Sequence, residues 1–494
     1  MHERIPTRFR GRGAAWLLAG LLAGCAVRPA AEAPPAPPSS CAAWFAAAEL
    51  AVDDAGVRDV QSARVPGRPH LRVDRLLAAL ARTSPRGDAY ASWLGHAAER
   101  AAEGWHAELT NLPSEARDAL AGGGDSLQAR TRDCIAEGLA RDRREPGARE
   151  ALLAAARVPD AYLDWQRVVG LYPLTRLAVL AGYYGWRDRL DAAYARPLDA
   201  LPVEGRLERY AAPRAGVSGT VQGWTRDALG YPVLDDAGRD ALFARHSPLW
   251  EIDTRDSDDL PGRPEWSGDD DRPAVDTRRP TVYRHLSYTR VAGSILPQLN
   301  YLVWFPARPP EHDGDIYAGH LDGLLLRVTL DEEGRPLLYD AIHPCGCYHM
   351  FFPGPRLRPR PHEAVGGEGY HVPQRAPEVG PGERLAVRVS AGTHQLLRLH
   401  AVPMETPVTP LAVRDYDALR SLAHPPGRRS LFGPVHGLVP GTERSERFLL
   451  WPMGIPSAGA MRQWGQHATA FVGRRHFDDP GLVEAGFELL PARN

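Results

Sequence analysis

The chain has 494 residues, 44% of them hydrophobic and 24% charged, which is typical of a soluble globular protein long enough for two or three domains. The formal net charge of −2 comes without long runs of one sign, so we expect no nucleic-acid partner. All 59 basic residues are arginine, because the chain contains no lysine. This excludes a Schiff-base lysine, a covalently held pyridoxal cofactor and a P-loop.

The first 24 residues predict a signal peptide. Four arginines within residues 1–13 precede an apolar run, 14–24, that is too short to span a bilayer stably. The segment Leu22-Ala23-Gly24-Cys25 resembles the lipobox of bacterial lipoproteins. The resemblance implies cleavage before Cys25, lipidation of this cysteine, and a membrane partner held through the acyl chains.

By the same resemblance, Ala26 after the cysteine implies sorting to the outer membrane, on its periplasmic face. The alternative is an ordinary secretory signal in which the cysteine is incidental. Residues 25–40 are rich in Pro and Ala and predict an extended tether. We therefore place the folded part of the chain in the bacterial cell envelope, a short reach from the membrane.

Residues 41–200 predict a helical domain. Ala, Leu, Arg and Glu dominate it, apolar residues recur at three- and four-residue spacings, and Ser126 is placed to cap a helix over 127–141. Cys41 and Cys134 are its only cysteines. Because the envelope is oxidising, we predict a structural disulfide between them, one of three pairings open to the four cysteines after Cys25.

The residue composition of the remaining chain changes twice. Residues 201–280 read as an irregular connector with one strand near 246–253 and an acid cluster, Asp269–Asp271, more typical of a solvated turn than of a calcium site. From 281 to 494, strand-like runs alternate with Gly, Pro and Asp turns, the clearest being the hairpin turn at Asp331–Gly334. The fold prediction is α+β, with a helical N-terminal domain and a mostly antiparallel, sandwich or jelly-roll-like C-terminal domain.

The candidate site is the row His343, Cys345, Cys347 and His349, whose side chains are typical ligands of zinc and copper(I). In a straight strand, side chains two residues apart lie ~6.6 to 7 Å from each other. That spacing is too wide for all four to hold one metal unless the strand bends. Pro344 and Gly346 permit such a bend.

A second pair, His320 and Asp322, lies on the other arm of the same hairpin. Antiparallel pairing of the arms would bring it close to residues near 345. We therefore predict a transition-metal site built from His320, Asp322, His343, Cys345, Cys347 and His349, with zinc favoured and copper or iron as alternatives. Metal-assisted hydrolysis would suit it, with Asp340 or Glu363 as the catalytic base.

Two alternatives stay open. Cys345 and Cys347 could instead form a small disulfide in a non-catalytic envelope lipoprotein that binds an envelope glycan or a protein ligand. Separately, the His320–Asp322 pair resembles the first two ligands of Fe(II)/2-oxoglutarate oxygenases. That family needs a distal histidine, His394 or His400 here, and an arginine such as Arg398, whose offset departs from the family pattern.

Overall fold

The computed structural model describes residues 40–121, 126–213, 223–267, 272–361 and 367–491. Helices lie mostly before residue 200 and antiparallel sheets mostly after it, so the predicted α+β class is confirmed. Within this part of the chain no helix has the length and apolar character needed to cross a bilayer. The α-helices of the described residues are α1 (Cys41–Asp54), α2 (Arg75–Ala81), α3 (Gly87–Asn111), α4 (Ser114–Ala121), α5 (Leu127–Arg144), α6 (Arg149–Ala155), α7 (Asp164–Val169), α8 (Tyr172–Tyr194), α9 (Asp236–His246), α10 (Glu446–Leu449) and α11 (Leu482–Gly486).

The strands belong to two large sheets and four small pairs. In chain order they are β1 (Ala63–Val65), β2 (Arg68–Val73), β3 (Arg206–Ala211), β4 (Leu249–Thr254), β5 (Arg263–Trp266), β6 (Pro273–Asp276), β7 (Thr281–Val291), β8 (Ser294–Arg308), β9 (Gly319–Leu330), β10 (Pro336–Ile342), β11 (Met350–Pro353), β12 (Leu357–Pro359), β13 (Glu383–Val389), β14 (Leu396–Pro403), β15 (Thr409–Pro410), β16 (Ala412–Asp415), β17 (Leu422–His424), β18 (Gly427–Arg429) and β19 (Phe487–Leu489).

Local sequence explains where several helices begin and end. The side chains of Ser40, Asp74 and Ser126 accept backbone N–H groups at the starts of α1, α2 and α5. The apolar run after Gly87 divides into α3 and α4 because Leu112, which precedes Pro113, takes an extended conformation. The predicted disulfide between Cys41 and Cys134 is present and joins α1 to α5.

The helical part also contains a hairpin that the periodicity did not predict. Strands β1 and β2 pair antiparallel, and β2 packs against α3 and α5. Arg72 on β2 donates to Glu108 of α3 at 2.6 Å, and His70 lies 2.7 Å from Asp142 of α5. Alternating charged and apolar residues on β2 thus place ion pairs inside a mainly apolar helical core.

The stretch 201–280 is not irregular. It contains α9 and strands β3 to β6, and β4 lies where a strand was predicted. Strands β3 and β4 belong to a five-stranded sheet of order β14-β13-β4-β3-β15, whose other members come from after residue 380. The described part of this stretch is therefore built into the β-rich half. The acid cluster Asp269–Asp271 lies outside the described residues.

The larger sheet has the order β11-β10-β9-β8-β7-β16 and is antiparallel except where β16 joins β7. The predicted hairpin turn is confirmed, since Gly334 takes a φ of +73° and Asp331 accepts the N–H groups of Glu333 and Arg335. The two large sheets share one core, to which Val303 and Leu326 contribute from one sheet and Ile252 and Val387 from the other.

Buried polar contacts join the helical and β-rich halves. The Asp59 carboxylate, just after α1, accepts two hydrogen bonds from Arg420 and one of 2.7 Å from Gln463. Both partners lie more than 350 residues away along the chain. Pro37–Asn494 forms one compact unit, and every hydrophobic core of the described residues is built from residues between Cys41 and Leu489. A chain that starts at Pro37 therefore keeps all of these contacts.

Candidate functional site

The row of candidate residues from His343 to His349 forms a tight turn between β10 and β11, not a straight strand. Gly346 N–H donates to the His343 carbonyl at 2.8 Å, and His343 N–H donates to the Cys347 carbonyl at 3.1 Å. Gly346 has a φ of +93°, and a Cβ there would lie 2.4 Å from the Ala468 carbonyl oxygen. Only glycine fits this bend, and the bend sets the directions of the neighbouring side chains.

At the centre of the site is Asp322, a fully buried residue of β9. One of its carboxylate oxygens lies 3.2 Å from Nδ1 of His343, and the other lies 2.9 Å from Nδ1 of His394. The pairing of β9 with β10 brings the first histidine to Asp322, as the hairpin predicted. The second histidine comes from the loop between β13 and β14, on the other large sheet.

A buried arginine completes the surroundings of Asp322. Arg444 lies 3.3 Å from the carboxylate and donates to the Leu321 carbonyl at 3.1 Å. Burial alone would raise the pKa of Asp322, but His343 and Arg444 lower it well below its ordinary value. Asp322 is therefore ionised at neutral pH and accepts hydrogen bonds from both imidazole rings.

His343 is oriented for proton transfer. Because Nδ1 faces the Asp322 carboxylate, Nδ1 carries the proton and Nε2 carries the free lone pair. Nε2 is buried and has no hydrogen-bond partner among the described residues. Burial lowers the pKa of His343 below its ordinary value and outweighs the opposing effect of Asp322. The ring is thus neutral at pH 7 and able to accept a proton.

His394 is held more rigidly. Its ring stacks on Phe305 with centroids 4.0 Å apart, and its Nε2 lies 3.3 Å from Asp259. Burial lowers the pKa of His394, but hydrogen bonds to Asp259 and Asp322 outweigh burial and raise it. With a carboxylate at each nitrogen, this histidine positions Asp322 and is not available to a substrate.

Arg308 connects this group to the surface. Its Nη1 donates to the Tyr348 hydroxyl at 3.1 Å, and its guanidinium lies 5.5 Å from the ring of Tyr317. Tyr348 in turn lies edge-on to the His343 ring, with centroids 5.0 Å apart. Tyr317 is 39% exposed, whereas Arg308 itself is buried, at 4% exposure.

Glu446, at the start of α10, adds a second acid–base group. It is 3% exposed and interacts electrostatically with Arg444, Arg308 and Arg462. Burial raises the pKa of Glu446 to about 7 in spite of these arginines. Both protonation states are therefore populated at neutral pH. We call the whole group the Asp322 cluster; its members are Asp259, Arg308, Asp322, His343, His394, Arg444 and Glu446.

Two buried thiols border the Asp322 cluster. Cys345 and Cys347 are not bonded to each other in the structure, and Cys347 N–H donates to the Cys345 sulfur at 3.3 Å. A hydrogen bond to Cys345, together with burial, raises the pKa of Cys347 well above its ordinary value. Cys347 is therefore a protonated thiol at neutral pH and a poor nucleophile.

Several predicted site residues lie elsewhere. His320 Nε2 bonds to the Pro273 carbonyl. His349 lies 2.9 Å from Asp340, which also accepts two hydrogen bonds from Arg327 in a separate buried group. The predicted base Asp340 is thus bound within an ion pair that stabilises the fold. Glu363 and Cys25 lie outside the described residues.

Of the six predicted metal ligands, the structure joins Asp322 to His343 and Cys345 to Cys347, and the two pairs do not form one site. Among the described residues, no three His, Cys, Asp or Glu side chains are arranged to hold a metal ion. His394, weighed above as a distal histidine, does reach Asp322, but through a hydrogen bond between the two side chains. The transition-metal site stays a prediction.

The sequence did not single out Asp259, Arg308, Arg444 or Glu446. Each is more than ten residues from Asp322 along the chain, and none belongs to a motif with a recognisable spacing. One available signal was the run 443–447, in which four of five residues are ionisable, Arg444 and Glu446 among them.

A cavity near other titratable groups lies elsewhere, between α2, α3 and β7. It measures about 40 Å³ and is lined in part by Arg75, Arg100, His285 and Asp478. None of the predicted site residues lines it.

Comparisons with known proteins assign no relative: no family model, curated protein or solved structure matches this chain.

Proposed function

We propose that this chain is a lipid-anchored protein of the bacterial cell envelope whose Asp322 cluster hydrolyses an anionic substrate by general acid–base catalysis. One observation carries the catalytic part of this proposal. Asp322 holds His343 through Nδ1 and leaves the buried Nε2 without a partner. A base oriented by a carboxylate is the arrangement that hydrolytic sites need.

The roles follow from charge and protonation. Neutral His343 takes a proton from water at Nε2, and the Asp322 carboxylate stabilises the imidazolium that results. Glu446, with its pKa at about 7, supplies a proton to the leaving group. Cys347 is not the nucleophile in this proposal, because its pKa is raised.

Arginines indicate the charge of the substrate. Arg308 and Arg444 are members of the cluster, and Arg308 lies beside the partly exposed Tyr317. Guanidinium groups bind carboxylates and phosphates with paired hydrogen bonds. The substrate class is therefore an ester, amide, glycoside or phosphodiester that carries a carboxylate or phosphate.

The lipid anchor rests on the resemblance of Leu22–Cys25 to the lipobox. Mass spectrometry of the mature protein, extracted from bacterial membranes, tests it directly. We expect an N-terminal cysteine at position 25 that carries acyl chains. An unmodified N-terminus beyond this position would contradict the anchor but not the catalytic proposal.

The catalytic proposal is tested with chromogenic substrates of the four classes and with His343→Gln. General acid–base catalysis contributes roughly 10² to 10⁴ in rate, and we expect His343→Gln to lower kcat/KM by that factor. The matched control is His70→Gln, which changes a buried histidine paired with Asp142 in the helical half. It should change kcat/KM by less than about threefold.

The pH profile separates catalysis from a structural role. With Glu446 as the acid, activity falls as pH rises through about 7, and Glu446→Gln removes this limb together with most of the rate. If none of the substrates is turned over, or if His343→Gln equals the control, the chain is better described as a non-catalytic, ligand-binding envelope protein.

A further inference from the structure

The outward face of α8 is apolar over its first three turns. Between Leu171 and Gly182, every residue classed as exposed is apolar or glycine. An ordinary surface helix turns its polar residues to water and its apolar residues to the core. Here the arrangement is reversed until Asp188 and Arg189, where the exposed face becomes charged. The exposed residues of these turns are Leu171, Pro173, Leu174, Leu177, Ala178, Ala181 and Gly182.

Neighbouring elements extend this face. The turn Trp451–Met453 packs against both α7 and α8, and Trp165 of α7 meets Trp451 edge-on with ring centroids 5.6 Å apart. Just before this turn, α10 ends in two exposed apolar side chains. We call the combined region the apolar surface; its large members are Trp165, Val168, Val169, Leu171, Leu174, Leu177, Phe448 and Leu449, each between 57% and 74% exposed.

The size of the apolar surface calls for a partner. Monomeric soluble proteins rarely expose a contiguous apolar patch beyond ~300 to 600 Å², and eight large side chains that are more than half exposed exceed this. Nothing in the described residues covers it. Tryptophan pairs and aliphatic side chains at one face are the composition found where proteins meet the interfacial zone of a bilayer.

We propose that the apolar surface lies against the lipid leaflet in which Cys25 is anchored. This inference rests on the proposed anchor. From Cys25 to Ser40, where the described chain begins, there are 15 residues, which reach at most ~50 Å when fully extended. A globular protein with the number of residues in Pro37–Asn494 has a radius of gyration of ~22 Å. The tether is therefore about twice as long as the radius of gyration, which lets most faces of the body reach the membrane.

Tethering makes a weak contact effective. A linker of this length holds the body at a high local concentration above the bilayer, so modest affinity of one face is sufficient to orient it. One lipid signal combined with a second membrane contact is the usual requirement for stable association. At the rim of the apolar surface, the Arg447 guanidinium lies 4.8 Å from the Phe448 ring and is placed to meet lipid phosphates.

The test uses the body, Pro37–Asn494, without its anchor, in flotation with vesicles of phosphatidylethanolamine and phosphatidylglycerol. We expect wild-type body to float, and the triple variant V168E/L174E/L177E to lose at least about tenfold in partitioning. The matched control is L50E/L198E/V233E, which adds the same charge at three exposed apolar positions outside the apolar surface. It should float like the wild type.

Three results would overturn the inference. The body could stay in solution at every lipid concentration, or both triple variants could float equally. The third result is a dimer of the body that V168E/L174E/L177E dissociates, since a second copy would then be the partner. Failure of the anchor is a separate outcome, because it is read from lipid on Cys25 in the full chain. If flotation depends on the apolar surface but Cys25 carries no lipid, the membrane contact is supported and the lipid anchor is contradicted.

Discussion

The Asp322 cluster and the apolar surface break the usual distribution of polarity in opposite directions. In the β-rich half, seven ionisable side chains gather in the buried interior, whereas on α7, α8 and α10 eight large apolar side chains face water. Both arrangements cost stability. The cluster is held by mutual contacts between several elements, whereas nothing in the described residues covers the apolar surface. We infer that the Asp322 cluster acts within the fold, whereas the apolar surface contacts a partner outside the protein.

The largest effect should come from removing the central carboxylate. Asp322→Ala leaves Arg444 and two histidines buried without their partner, and breaking a buried ion pair costs ~3 to 5 kcal/mol. Urea unfolding measures the loss. The control is Asp188→Ala on the exposed face of α8, which should change the free energy of unfolding by less than ~0.5 kcal/mol. If both changes lowered the free energy of unfolding equally, the contacts of Asp322 within the cluster would not contribute to stability.

A smaller effect is expected from the titration of Glu446. Its folded pKa of about 7 lies above its ordinary value, so the unfolded state releases its proton first as pH rises. The stabilising contribution is present below the ordinary pKa and is lost as pH rises through about 7. Between pH 5 and 8 the wild type should lose ~1 to 3 kcal/mol relative to Glu446→Gln. Parallel pH curves for the two proteins would contradict this.

Substitutions on the apolar surface should hardly change stability. Leu174→Glu places a charge where the side chain already faces water, so we expect less than ~0.5 kcal/mol in urea unfolding of the lipid-free protein. A large destabilisation would show that the side chain is packed in solution. That result would contradict both the contrast between the apolar surface and the Asp322 cluster and the proposed contact with the membrane.

The smallest expected effect is that of a chelator. The proposed roles of His343 and Glu446 need no metal ion, so activity after treatment with EDTA should stay within about twofold. Elemental analysis of the same samples measures bound zinc, copper or iron. A stoichiometric metal whose loss abolishes activity would favour the metal-assisted hydrolysis that the residue types predicted.

The sequence predicted those contacts that depend on neighbours along the chain. Asp331 and Gly334 mark the hairpin turn, and the turn fixes the register that brings Asp322 to His343. Cys41 and Cys134 were paired correctly because few cysteines were available. In each case, turn chemistry or a short count of alternatives was enough.

The rest of the site depends on tertiary packing. Asp259 and His394 come from loops on the second sheet, and Glu446 comes from a short helix more than 120 residues after Asp322. Alternation alone did not determine the path of residues 343–349: the sequence permitted a bend at Pro344 and Gly346, and Gly346 turns the chain there. The hairpin β1–β2 was missed because two short strands interrupt an otherwise helical composition.

The hydrogen bonds from Arg420 and Gln463 to Asp59 have a consequence for the order in which the chain can fold. Asp59 is made early in synthesis, and its partners emerge some 360 to 400 residues later. Until then Asp59 has Arg72, 3.8 Å away, as its nearest charged partner, and it lacks the hydrogen bonds from Arg420 and Gln463. The N-terminal half therefore completes the contacts of this carboxylate only after the C-terminal half has been made.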